Sequence, residues 1–137
     1  IRIVQHLSPN LPQVFMDPSQ VQQVFMNMIL NAADAMKAGG QLTLTTRYVP
    51  VEQMVEIEFT DTGHGIKEAD LDRIFSPFFT TKEVGHGTGL GLAISYGIVK
   101  EHKGTITVES EEGEGATFTI CLPVSNEQEI IRRAAQA

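Results

Sequence analysis

Apolar residues recur with a helical period in two parts of the chain. In the first, over residues 21–36, they share one face of a helix. Asp17 can cap this helix, and Gly39-Gly40 is expected to end it. A second helix is predicted from about Gly89 to His102, with Gly104 closing it. Each helix therefore offers an apolar stripe to a core.

Apolar and polar residues alternate elsewhere, which predicts strands. The opening residues from Ile1 read as a strand, and four further segments alternate: 42–47, 55–60, 105–110 and 116–122. A short helix is predicted over residues 67–74 and a polar helix near the C-terminus. The strands come in adjacent pairs with no helix between them, which disfavours an all-parallel sheet.

These elements predict an α/β (α+β) two-layer sandwich. It consists of a mixed, mainly antiparallel sheet of about five strands with about three helices on one face. We expect one domain over residues 1–124 and a helical tail over residues 125–137.

Composition and charge narrow the classes of function. The net charge is −7, so a duplex nucleic acid is not an expected partner, because phosphate neutralisation needs clustered Lys and Arg. A nucleotide is still compatible with this charge, since backbone N–H groups and a metal can hold its phosphates. The only cysteine, Cys121, excludes a disulfide framework. No apolar stretch approaches the roughly 18 residues that span a bilayer.

A polar stripe runs along the first helix, separate from its apolar face. Asn27 and Asn31 lie one turn apart on this stripe, and Asp34 follows them. An amide oxygen is a hard, neutral ligand that suits Mg²⁺ when phosphate oxygens and water complete the coordination. The alternative interpretation is a solvated polar face.

Two glycine-rich segments adjoin predicted elements, one after a strand and one before a helix. The first, Asp61–Gly65, stands at a strand end, where a carboxylate can accept a hydrogen bond from an amino group such as adenine N6. The second, Gly85–Gly91, leads into a helix and could expose backbone N–H groups to phosphate. Its G-x-G-x-G spacing is neither a P-loop nor a dinucleotide fingerprint. The alternatives are an ordinary turn and a flexible loop. Because the Pro77–Thr88 segment lacks a period, we also predict a mobile lid there.

Five blocks in this order resemble the catalytic domain of two-component sensor histidine kinases, within the GHKL superfamily. The resemblance covers nearly the whole chain, and its wording is closest to nitrogen-regulator-type sensor kinases. The blocks are similar to the family's N, G1, F, G2 and final glycine boxes, and they are Gln23–Met36, Asp61–Ile66, Phe75–Lys82, Gly87–Leu92 and Gly113–Phe118.

The resemblance implies a role for each matching position. Asn31 would coordinate Mg²⁺, and Asn27 would support the metal and the phosphates. Asp61 would bind the adenine amino group, Gly65 would let the backbone approach the base, and Thr117 would help to hold adenine. Three phenylalanines would anchor the lid, unless they are ordinary core residues: Phe75, Phe78 and Phe79.

The resemblance also implies that residues of the lid would lie against the phosphates. Glycines at 87, 89 and 91 would let the lid fold, and Thr88 and the amides near Leu90 would contact the phosphates. Lys82 could meet the γ-phosphate or remain solvated. The catalytic set is Asn27, Asn31, Lys82 and Thr88. The remaining nucleotide-binding positions are Asp34, Gly63, Ile66, Thr81, Gly85, Gly87, Gly89, Gly91 and Leu92.

The implied activity is transfer of the ATP γ-phosphoryl group to a histidine. ATP-hydrolysing branches of the superfamily carry a glutamate where this chain has Asn27, and an amide cannot act as the base. None of the four histidines here has the family's phosphoacceptor context. The acceptor is therefore expected on a separate dimerisation domain, with a response regulator downstream and a cytoplasmic location. Two alternatives stay open on the same fold: a serine kinase acting on an anti-sigma partner, and a nucleotide-binding pseudoenzyme.

Overall fold

The computed structural model describes residues 1–79, 90–125, 131–132 and 134–135. Its elements are, in chain order, β1 (Arg2–His6), α1 (Pro18–Ala35), β2 (Gln41–Val49), β3 (Met54–Asp61), a 3₁₀ helix (Glu68–Asp70), α2 (Gly91–Glu101), β4 (Thr105–Glu111) and β5 (Gly115–Pro123). Of the expected C-terminal tail, residues 131–132 and 134–135 are helical.

The five strands form one sheet in the order β1-β2-β3-β5-β4. β1 pairs with β2 in parallel, and the other pairs are antiparallel. This confirms the predicted mixed, mainly antiparallel sheet. β3 and β5 each bury alternate residues, so one face of the sheet carries the core and the other is mainly polar.

Both α-helices pack on the apolar face of the sheet. α1 buries Val21, Val24, Met28 and Ala32, as its period predicts, and α2 buries Ile98 and Val99. These residues join one cluster with core-facing strand residues that include Phe59, Phe118 and Ile120. The two-layer architecture is therefore confirmed.

The start of α1 is as predicted, but its end is not. Asp17 caps it, because the carboxylate accepts from the backbone N–H groups of Ser19 and Gln20 at 3.0 and 3.2 Å. The helix ends at Ala35, before Gly39-Gly40. The Ala35 carbonyl instead accepts from the backbone N–H of His64 at 3.1 Å, so a tertiary contact ends the helix.

The helix predicted over residues 67–74 is the other departure. A three-residue 3₁₀ helix over Glu68–Asp70 is followed by turns. Ile74, at the end of the predicted helix, is buried in the core although no helix continues to it. Among the described helices, none has both the length and the apolar character needed to traverse a bilayer.

Candidate functional site

Asp61 ends β3 with its side chain on the core side of the sheet and is only 4% exposed. Its Oδ1 accepts from the backbone N–H groups of Gly63 at 2.9 Å and Ala116 at 3.3 Å. Its Oδ2 accepts no hydrogen bond from the described residues. Since none of their enclosed side-chain oxygens lacks a partner, Oδ2 is not fully enclosed. One oxygen is thus fixed by the fold, and the other is presented as an acceptor.

The Asp61 loop (residues 61–66) is held by backbone contacts to two other elements. The His64 N–H donates to the Ala35 carbonyl at the end of α1, at 3.1 Å. The His64 carbonyl accepts from the Gly113 N–H in the β4–β5 turn, at 2.6 Å. The loop is therefore clamped between α1 and the final hairpin (residues 105–123).

A serine hydroxyl completes this clamp. Ser110 Oγ accepts from the Ile66 N–H at 2.8 Å and donates to the Gly115 carbonyl at 2.8 Å. It joins the far end of the Asp61 loop to both strands of the final hairpin. The sequence analysis did not identify this role of Ser110. The signal was present, because Ser110 follows Ile106 and Val108 in the inward-facing alternation of β4, where an apolar residue is expected.

Close packing in the loop requires two of its glycines. Gly65 has φ +71°, and a Cβ there would overlap the carbonyl oxygen of Glu111. A Cβ at Gly63 would lie 2.5 Å from the Ala35 carbonyl oxygen. These glycines therefore allow close approach of backbone to backbone within the protein, and the approach of Gly65 to a base stays a prediction.

The polar stripe of α1 lies beside α2. The Asn27 amide nitrogen donates to the Gly91 carbonyl and to Ser95 Oγ, both at 3.1 Å. Asn31 is half-buried one turn later and has no hydrogen bond to a described residue. Asp34 is half-buried on the same stripe. Ser95, like Ser110, was missed; it is a polar residue in the core stripe of its helix.

A series of contacts links the Asp61 loop, the asparagines of α1 and the start of α2. Gly63 packs on Ala35, which lies one helical turn after Asn31, and Asn27 contacts the first residue of α2. The distance from Ala35 to Asn27 is about 12 Å along the helix axis. The Asp61 loop, the asparagines and the start of α2 therefore border one surface.

One sequence-based assignment, that of Thr117, needs correction. Thr117 was expected to hold adenine, but its hydroxyl pairs with that of Thr60 at 3.1 Å on the polar face of the sheet, away from Asp61. Its neighbour Ala116 faces the core and bonds Asp61 instead. Gly91 is the first residue of α2, and its carbonyl is bonded to Asn27; its role in the folding of the lid stays a prediction.

The phenylalanines divide between packed and exposed positions. Phe75 contacts Tyr96 at 5.5 Å between ring centroids and meets Phe118 edge-on at 6.4 Å. Phe79 lies under the Arg73 guanidinium, 5.0 Å from its ring centroid. Phe78 is 73% exposed. Among the described residues, Phe75 and Phe79 are packed and Phe78 is mostly exposed; that the three anchor the lid stays a prediction.

The expected phosphate-side residues lie mostly outside the described part of the chain. Those outside are Thr81, Lys82, Gly85, Gly87, Thr88 and Gly89, together with most of the Pro77–Thr88 lid. Leu90 caps α2 with an αR backbone, and Leu92 is half-buried against the core. Ile66 also packs against the core.

Comparison with known proteins agrees with this geometry. Residues 16–126 match the family of histidine kinase-, DNA gyrase B- and HSP90-like ATPases. Sensor kinase CckA of Brucella abortus is 48% identical over 120 residues, which cover 78% of this chain and 13% of that protein. Sensor histidine kinase ZraS of Escherichia coli K12 is 46% identical over 115 residues, covering 84% and 24%.

Solved structures have the same fold. The catalytic domain of histidine kinase ThkA has a TM-score of 0.78 and 32% identity, covering 91% of this chain and 81% of that one. Full-length ShkA in complex with AMPPNP has a TM-score of 0.79 and 30% identity, covering 91% and 26%. The chain spans a quarter or less of the curated relatives named above. It belongs to the family of histidine kinase-, DNA gyrase B- and HSP90-like ATPases.

Proposed function

We propose that this chain is the ATP-binding catalytic domain of a sensor histidine kinase, and that it positions ATP·Mg²⁺ for transfer to a histidine on another domain. The observation that carries the proposal is the divided role of Asp61. Its Oδ1 is bonded to two backbone N–H groups, and its Oδ2 is available to a ligand. An amino group such as adenine N6 matches that acceptor.

The asparagines suit the phosphate end of such a ligand. Asn31 offers an amide oxygen without a partner among the described residues, about 6 Å along α1 from the Ala35 contact with the loop. In the described part of the chain, no three His, Cys, Asp or Glu residues are grouped to hold a metal. A cation here would therefore need phosphate oxygens as ligands, which is how Mg²⁺ usually binds. Bound there, it would neutralise phosphate charge.

The residues of this chain bind and orient rather than activate water. Asn27 cannot take a proton, and both of its N–H groups are bonded to α2. Phosphoryl transfer depends chiefly on positioning and charge stabilisation, so this arrangement fits transfer to an incoming acceptor. Since the matched region makes up a quarter or less of the curated relatives, the phosphoacceptor domain would lie elsewhere in the full protein. A cytoplasmic location and a response regulator as partner belong to the same proposal.

Asp61→Asn tests the base contact with little change to the fold. The Asn oxygen can keep the bonds to Gly63 and Ala116, while its NH₂ replaces Oδ2 and faces the adenine amino group donor to donor. We expect calorimetry to show Mg²⁺·ATP binding weakened by about 100-fold, near 3 kcal/mol. Inosine triphosphate, which lacks the amino group, should lose far less. Equal losses for the two nucleotides would refute the contact.

Asn31→Ala tests the metal contact in the same experiment. We expect it to remove the gain in ATP affinity that Mg²⁺ gives the unmodified chain and to leave affinity in EDTA unchanged. A urea midpoint close to that of the unmodified chain would show that the fold survives. A full Mg²⁺ effect in this variant would exclude Asn31 as a ligand.

A further inference from the structure

Ser95 is the most deeply buried polar residue among those the structure describes. It is 0% exposed, and the other buried polar side chain in that part of the chain is Asp61 of the proposed base site. Burying a hydroxyl is costly unless a hydrogen bond compensates it. Ser95 lies in the apolar stripe of α2 near Ile98 and Val99, where an aliphatic residue would pack without that cost. Packing alone therefore does not explain why a hydroxyl occupies this position.

Its hydrogen bond leads directly to the polar stripe of α1. Asn27 Nδ2 donates one hydrogen to Ser95 Oγ and the other to the Gly91 carbonyl, each at 3.1 Å. A carbonyl only accepts, so the nitrogen end of the amide must face α2. A Cβ added at Gly91 would lie 3.8 Å from Asn27 Cγ, which shows that the amide packs flat on the first turn of α2.

The oxygen end of the same amide is left available. Asn27 Oδ1 accepts no hydrogen bond from the described residues, and none of their buried side-chain oxygens lacks a partner. Oδ1 is therefore not fully enclosed, and it belongs to the polar stripe of α1 that also carries Asn31. Two acceptors on α2 hold the amide at one end, and this fixes where its oxygen lies.

We propose that Ser95 is a positioning residue, which holds the Asn27 amide so that Oδ1 faces the phosphates and metal of a bound nucleotide. The inference rests on the proposed function. Ser95 does not contact the ligand and acts through Asn27.

Ser95→Ala removes the acceptor, and Ser95→Cys keeps the volume while offering a weaker one. We expect Ser95→Ala to weaken binding of Mg²⁺·AMPPNP by about fivefold, the value of one neutral hydrogen bond. AMPPNP binding in EDTA should stay within about twofold, because the base contact at Asp61 is intact. Ser95→Cys should fall between Ser95→Ala and the unmodified chain. Calorimetry gives the affinities, and urea denaturation gives the stabilities separately.

A purely structural serine would give a different result. Replacing such a serine would lower the urea midpoint, but the gain in affinity that Mg²⁺ gives would equal that of the unmodified chain. That outcome would overturn the proposal. If Ser95→Ala does not fold, Ser95→Cys decides by the same comparison. In an Asn27→Ala background, Ser95→Ala should have no further effect on Mg²⁺-dependent binding. If the proposed function itself is wrong, the unmodified chain shows no Mg²⁺-dependent nucleotide binding, and this is seen before any variant is compared.

Discussion

The Gly65→Ala variant tests whether the Asp61 loop is fixed by its contact with the final hairpin. Gly65 has φ +71°, a conformation that costs a residue with a Cβ about 1–2 kcal/mol. The new methyl group would also overlap the carbonyl oxygen of Glu111, and overpacking of this kind costs about 1–3 kcal/mol. The sum, about 2–5 kcal/mol, is a large part of the roughly 5–15 kcal/mol that stabilises a domain.

Gly113→Ala is the matched control, because it shares the backbone conformation without the overlap. Gly113 has φ +87°, and a Cβ there would meet nothing within 4 Å. Only the conformational cost of about 1–2 kcal/mol is expected. The difference between the two variants therefore measures the overlap alone.

Urea denaturation and calorimetry provide the two measurements. With an m-value of about 2 kcal/mol/M, the Gly65→Ala midpoint should fall by about 1–2.5 M and that of Gly113→Ala by about 0.5–1 M. ATP affinity should drop at least about tenfold in Gly65→Ala, since the loop that carries Asp61 must move, and stay within about twofold in the control. Equal midpoints and equal affinities in the two variants would refute a rigid loop.

Two further predictions concern residues outside the proposed site. His102 accepts from the Asp17 N–H at 3.0 Å and bonds the Ile98 carbonyl at 2.8 Å, so His102→Leu should lower the free energy of unfolding by about 1 kcal/mol without changing ATP affinity. His102→Gln, which can keep the acceptor, should lose less in urea denaturation; no loss in His102→Leu would contradict the bridge between α1 and α2. Burial, with added repulsion from Glu56, raises the pKa of the Cys121 thiol, so its alkylation by iodoacetamide at pH 8 should be slower than in the urea-unfolded chain and faster in Glu56→Gln. Because the folded-state pKa is the higher one, the free energy of unfolding should fall as pH rises past the ordinary thiol pKa of 9.0, and identical alkylation rates in folded and unfolded chains would exclude the shift.

Sequence patterns predicted the parts of the fold that depend on neighbours along the chain. The Asp17 cap is an example, since the carboxylate and the two N–H groups lie within three residues. The end of α1 could not be predicted in this way, because it depends on a contact between Ala35 and His64. The end of α2 was predicted to within one residue, since the helix ends at Glu101 and Gly104 follows. The local sequence did not reveal that Lys103 takes the left-handed conformation, with φ +60°, or that Gly104 packs against the Cys121 carbonyl.

The proposed site shows the same division. Asp61 was identified correctly as a strand-end carboxylate, but its partner Ala116 contributes only a backbone N–H, which no residue type reveals. The direction of Thr117 could have been predicted, since Phe118 and Ile120 alternate inwards and so place residue 117 outwards. Ser95 and Ser110 carried a usable signal as well, because each is polar at a position where the period requires an apolar residue.

In the proposed site, the two oxygens of Asp61 serve different needs, and this limits how the protein can change. One oxygen ties β3 to β5, so a replacement that altered the preferred base would also loosen the sheet unless it preserved that tie. A lineage shifting towards another nucleotide would therefore be expected to keep the carboxylate and vary its surroundings. Selectivity and architecture are inherited together at this residue.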